Sequence, residues 1–179
     1  MKGIVFTEFL EMVEEGFGYE MVDKILLESD LPSKGIYSAV GTYSHHEMVT
    51  LVVSLHKNTE VPISELLEAF GEYLFNSLIK AYGHIFHDVN DAFGMLSTIE
   101  SYIHVQVRKL YPDAELPTFS IEKPNDKQLI MYYTSERSMG DLAVGLINGC
   151  LKHFNEEADL IKENLNESGS EVKFVITKK

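Results

Sequence analysis

Tyr133-Thr134-Ser135-Glu136-Arg137, downstream of His104, is the stretch from which the chain is read. In an extended or turn-entering segment, residues i, i+2 and i+4 project to one side. Tyr133, Ser135 and Arg137 then present a phenol, a hydroxyl and a guanidinium in a row. That row of donors suits a small ligand carrying two anionic oxygen groups. His104 lies in a helix-like stretch on a different element, beside the apolar stripe of Leu96, Ile99, Ile103 and Val107, and is a potential metal ligand. An isolated histidine is ordinarily a core or surface residue, and the three donors alone could be a strand tyrosine, a helix-capping serine and a solvated arginine. A flat, metal-bearing ligand with two carboxylates satisfies both features at once, and heme is such a ligand.

Tyr-x-Ser-x-Arg in this position resembles the propionate-binding motif of the heme nitric oxide/oxygen binding (H-NOX) family. Four further segments carry the resemblance along nearly the whole chain. Met1-Lys2-Gly3-Ile4-Val5-Phe6 is similar to the family's start, and Tyr102-Ile103-His104-Val105-Gln106-Val107 to its proximal-histidine helix. Ala114-Glu115-Leu116-Pro117-Thr118-Phe119 resembles the segment with its heme-contacting proline, and Gly145-Leu146-Ile147-Asn148-Gly149 the helix after the motif. The resemblance implies heme b with His104 on the iron, Tyr133, Ser135 and Arg137 on the propionates, and Pro117 pressing on the porphyrin. Aligned without gaps, it puts Phe9, Leu74, Leu78 and Leu142 around the other heme face, with Val5 nearby. Family members that hold oxygen stably carry a tyrosine in the place of Leu142. Its absence implies a sensor of NO, and of CO, rather than of oxygen. An oxygen sensor or carrier is the alternative within the family.

The resemblance further implies a switch in which NO weakens the iron–histidine bond and the lobes shift. The chain has no catalytic motif, so it is expected to be no enzyme and to pass its signal to a partner. Bacterial stand-alone members act on a histidine kinase or on a cyclic-di-GMP enzyme, a diguanylate cyclase or phosphodiesterase. A rival from another class is a metal-dependent hydrolase built on His84, His87 and Asp88. Surface histidines are the plainer account of that group and of His45-His46.

Composition narrows the partners. The 179 residues suit one domain, residues 1–179, divided into a distal helical lobe (1–63) and a proximal lobe (64–179). With 45% hydrophobic and 11% aromatic residues the chain is globular, and its formal charge of -13 repels nucleic acid and anionic membranes. The single cysteine, Cys150, excludes an intrachain disulfide and reads as an inert packed thiol. Glu8, Glu11, Glu14 and Glu15 at the start are unlike a secretory signal, and no apolar run is long enough to span a membrane. A cytoplasmic location is expected, where the sequon Asn166-Glu167-Ser168 carries no meaning.

The periodicity predicts an α+β fold: a helical N-terminal half, then a proximal part with helices and a small antiparallel sheet. Phe6, Phe9, Leu10 and Val13 mark a first helix. Helices follow over Tyr19–Glu28, His45–Lys57, from Pro62 onward, and as one long helix over Asp91–Leu110. Thr118–Glu122 and Gln128–Tyr133 are expected strands around a turn. Met139–Leu160 returns to a helical pattern, with Ser135 placed to cap its start. The acid-rich stretch Glu156–Glu167 is expected to be a solvated helix face, and Glu171–Thr177 a last strand.

Overall fold

A computed structural model describes residues 1–83 and 89–179. Within them α1 (Gly3–Phe17), α2 (Tyr19–Glu28), α3 (His45–Thr59) and α4 (Ile63–Tyr82) precede α5 (Ala92–Ser97), a π-helical turn (Ile99–Ile103) and α6 (His104–Leu110). Strands β1 (Thr118–Asn125) and β2 (Gln128–Thr134), helix α7 (Gly140–His153), and strands β3 (Ala158–Asn164) and β4 (Glu171–Lys178) complete the chain. The four strands form one antiparallel sheet in the order β1-β2-β4-β3. The α+β architecture is the expected one.

Local chemistry sets the boundaries. Gly18, at φ 87°, turns the chain out of α1 in a conformation that side chains disfavour. The Ser44 hydroxyl accepts from the amide of His46 to open α3, and the Asp91 carboxylate accepts from Gly94 at 2.6 Å to open α5. On β2, Leu129, Met131 and Tyr133 alternate inward, facing the inward residues Val172, Phe174 and Ile176 of β4.

Two expectations are corrected. The predicted long helix over Asp91–Leu110 is broken by the π-helical turn, where the amides of Ile103 and His104 bond to carbonyls five residues back, on Thr98 and Ile99. The helical run expected to reach Leu160 stops at His153. Asn155 takes a left-handed φ of 54°, and Ala158–Asn164 pairs with β4 as an edge strand. The acidic stretch after Glu156 is therefore largely strand rather than helix, its charges lying along the sheet edge, where they discourage further pairing.

Buried side chains fall into two clusters. One joins Phe6, Phe9 and Val13 of α1, Ile25 of α2, Met48, Leu51 and Leu55 of α3, and Leu66, Phe70 and Leu74 of α4. The other joins Phe93 and Leu96 of α5, the inner sheet face, and Ala143, Val144 and Ile147 of α7. Helix α4 serves both, since Phe75 belongs to the second. It can do so because its backbone meets that of α7 at two glycines. A side chain on Gly145 would overlap the carbonyl oxygen of Glu68, and one on Gly71 that of Leu142.

Gly145→Ala is therefore expected to force the two helices apart and to lower stability by about 1–3 kcal/mol, the usual cost of overpacking. Urea unfolding of the apo-protein beside wild type measures this, and an unchanged midpoint would show that the helices do not depend on the contact.

Candidate functional site

A cavity of about 340 Å³ lies where the two clusters face each other, and its wall is mostly apolar. That volume falls in the range of about 300–1,000 Å³ common for small-molecule sites. Val5 of α1, Leu74 and Leu78 of α4, and Leu142 of α7 contribute aliphatic wall, and Pro117 lies on the segment entering β1. His104, Tyr133, Ser135 and Arg137 line the same cavity. Nine of the ten residues that the family resemblance assigns to the heme thus meet at one cavity. Phe9 is not among the lining residues; it is fully buried, edge-on to Phe70 with ring centroids 5.2 Å apart.

His104 opens α6 directly after the π-helical turn and is 8% exposed, although its neighbours Tyr102 and Val105 face solvent. Its Nδ1 lies 2.6 Å from the Glu100 carboxylate. A carboxylate only accepts, so Nδ1 carries the proton and Nε2 keeps its lone pair. Burial pushes the imidazole pKa below its ordinary value, outweighing the opposite pull of Glu100. The ring is therefore neutral at pH 7, the state a metal requires. Cys150 also lines the cavity, but burial raises its thiol to about 12, and a protonated thiol is a poor competitor as a ligand.

The polar side of the cavity follows from β2 and the turn after it. Tyr133 is the last inward residue of β2, and its hydroxyl oxygen accepts from the Met139 amide at 3.2 Å. The Ser135 hydroxyl accepts from the Arg137 amide at 3.2 Å. It is thus a turn residue and not the cap of α7, which starts at Gly140. In both cases a backbone N–H fills the acceptor role and leaves the O–H free to donate. The Arg137 guanidinium is 13% exposed and pairs at 3.0 Å with Glu115, which is 80% exposed. A half-buried cation held by a solvated acid can exchange that partner for a ligand carboxylate at little cost. The charge of Arg137 also helps, behind burial, to lower the pKa values of the Met1 ammonium and His45, so a positive spot exists within an acidic protein.

The residue that sequence reading overlooked is Glu100. An acid four residues before a candidate metal-ligating histidine on one helix was the available signal. The hydrolase candidates His84, His87 and Asp88 lie outside the described residues. Among the described residues no three His, Cys, Asp or Glu side chains gather as a metal site, and no helix is long and apolar enough to cross a membrane.

The donor set fits heme: a neutral imidazole with a free nitrogen, an apolar enclosure, and three donors for carboxylates. Comparison with known proteins agrees. The model of a family described as Haem-NO-binding matches residues 2–162. An Fe(II) unliganded H-NOX protein from K. algicida is 47% identical, with a TM-score of 0.96, covering 100% of this chain and 97% of that one. The H-NOX from Shewanella woodyi, solved with IWP-051 in the Fe(II)CO state, is 40% identical with a TM-score of 0.85, covering 100% and 95%. An H-NOX protein from S. oneidensis in the Fe(II)NO state is 25% identical with a TM-score of 0.92, covering 100% and 99%. A comparison with curated proteins gives no match.

The buried state of His104 has a pH signature in the apo-protein. The unfolded chain titrates this ring near 6.5 and the folded chain lower, so below 6.5 the unfolded state binds more protons. The stability difference between wild type and His104→Gln is expected to be flat above pH 7 and to move against wild type as pH falls through 6.5. Urea midpoints of both proteins from pH 7.5 to 5.5 check this, and parallel profiles would contradict it.

Proposed function

The chain belongs to the Haem-NO-binding (H-NOX) family, and on that premise we propose that its cavity holds heme b with His104 as the ligand to the iron and NO or CO as the gas. Members of this family are heme-based gas sensors and not enzymes. When bound, the heme would supply a ferrous iron able to take a diatomic gas. The observation that carries the assignment is the buried His104, its Nδ1 fixed on Glu100, opening on the same cavity as Tyr133, Ser135 and Arg137.

Each residue has a role that its surroundings support. Nε2 of His104 holds the iron. Arg137 and the hydroxyls of Tyr133 and Ser135 bind and orient the propionates, with Glu115 displaced toward solvent. Pro117, which lines the cavity, would pack its rigid ring against the porphyrin. Val5, Leu74, Leu78 and Leu142 exclude water from the gas side, and Phe9 backs that wall from within the core. None of these wall residues donates a hydrogen bond. Oxygen gains more than NO from a donor, so an apolar wall penalises oxygen by on the order of 1–3 kcal/mol, roughly tenfold to a hundredfold. The Fe(II)NO and Fe(II)CO states of the S. oneidensis and S. woodyi relatives favour the same pair of gases here.

Signalling follows from the position of the cavity between two clusters. Residues 1–63 would act as a distal lobe and 64–179 as a proximal lobe, with α4 of the latter contributing to both clusters, and a displacement of His104 would bias their arrangement. The partner is a histidine kinase or a cyclic-di-GMP enzyme in the cytoplasm. It responds only insofar as it binds the two arrangements with different affinity.

His104→Gly is expected to abolish the wild-type ferrous spectrum and to regain ligation on addition of imidazole. An unchanged spectrum in the variant would reject His104 as the ligand. Wild type is expected to form no lasting oxygen complex in air, and Leu142→Tyr to gain roughly tenfold to a hundredfold in oxygen affinity while still binding NO. Absorption spectra in air and under NO decide this, and a stable oxygen complex of wild type would overturn the NO-selective assignment.

A further inference from the structure

Glu100 lies in the π-helical turn and uses one carboxylate oxygen twice. Oε1 accepts from His104 Nδ1 at 2.6 Å and from the backbone amide of Phe119 at 3.4 Å. Phe119 belongs to β1, an edge strand, and an amide on the open side of an edge strand has no ladder partner. The carboxylate thus satisfies an amide of the sheet edge and the imidazole together. Its other oxygen is 4.0 Å from the Arg108 guanidinium, close enough to steady the side chain and too long for a hydrogen bond. Phe119 continues the connection: its ring centroid is 6.0 Å from that of His104 and 5.6 Å from that of Tyr133, its cross-strand partner.

We propose that Glu100 is the positioning residue of the His104 ligand, fixing its tautomer, strengthening its bond to the metal, and tying its movement to β1 through the Phe119 amide. The claim rests on His104 being the ligand and adds what governs it. A charged acceptor on Nδ1–H draws the proton toward itself and leaves Nε2 more electron-rich, so the bond from Nε2 to a metal is stronger than that of an imidazole bonded to a neutral acceptor. The same hydrogen bond holds the ring plane. An imidazole free of it would favour the other tautomer in part and turn Nε2–H, not a lone pair, toward the cavity. The short distance is that of a charge-assisted bond. A ring drawn away from the sheet has to stretch this contact or carry the β1 edge with it.

Two measurements on Glu100→Gln and Glu100→Ala test the proposal. Glutamine keeps the shape and an acceptor oxygen but removes the charge, so it retains the fold if alanine does not. In apo-protein, ¹⁵N NMR of the His104 ring is expected to show the Nδ1–H tautomer in wild type and in Glu100→Gln, and a mixture in Glu100→Ala. The Phe119 amide is expected to lose protection in the alanine variant. In ferrous protein, resonance Raman is expected to place the iron–histidine stretch highest in wild type, lower in Gln and lowest in Ala, with heme affinity about 10–100-fold weaker in Ala. A wild-type stretch that neither variant moves overturns the role of Glu100 and leaves His104 as the ligand. A ferrous wild type without any iron–histidine stretch overturns both.

Discussion

Helices α4 and α7 touch backbone to backbone at Gly71 and Gly145, and the rest of the molecule is arranged around that contact. Because neither glycine carries a side chain, the axes approach closely, and the leucines on either side are held at fixed positions. Leu74 and Leu78 of α4 and Leu142 of α7 then form the apolar wall of the cavity. The same two helices bridge the hydrophobic clusters, Leu74 belonging to one and Phe75, the next residue, to the other. A cavity at the junction of two cores is sensitive to how the cores sit. A force on its aliphatic wall reaches both clusters through α4 and α7 themselves.

Opposite the aliphatic wall the chemistry is polar and economical. Two hydroxyls each accept from a backbone amide, one half-buried guanidinium is held by a solvated glutamate, and one imidazole is kept neutral by burial. Each group is therefore in the state its proposed role demands before a ligand arrives: donors free to donate, a cation with a replaceable partner, a nitrogen with its lone pair available. Such preorganisation means that little reorganisation is charged against binding. The local positive character around Arg137 does not need a basic protein, and the chain remains strongly acidic.

Much of this was legible in the sequence, for physical reasons that differ by element. The inward alternation of Leu129, Met131 and Tyr133 and the apolar face of α1 are patterns that burial itself imposes, so they could be read directly. The Tyr-x-Ser-x-Arg spacing survives because β2 and its turn put all three residues on one cavity. The π-helical turn was invisible, since Leu96, Ile99, Ile103 and Val107 make an apolar stripe on either winding. Strand β3 was missed because the apolar run of α7 continues past His153, and only the left-handed Asn155 and the pairing with β4 separate the two. Phe9 carries the right chemistry for a wall residue but stands one layer back, a distinction of depth that periodicity does not contain. Glu100 was readable in principle from its spacing to His104. Its second bond, to the amide of Phe119, depends on how β1 returns to the helix, and no local pattern encodes that.

In the proposed assignment one heme occupies this cavity on His104. Titration of the purified apo-chain with hemin, followed at the Soret band and then reduced and exposed to NO, tests it most directly. Expected are saturation at one heme per chain in wild type, a ferrous spectrum that changes with NO, and loss of the wild-type ferrous spectrum in His104→Gly. Hemin uptake that does not saturate at one equivalent, or that gives the same ferrous spectrum with and without His104, would contradict it.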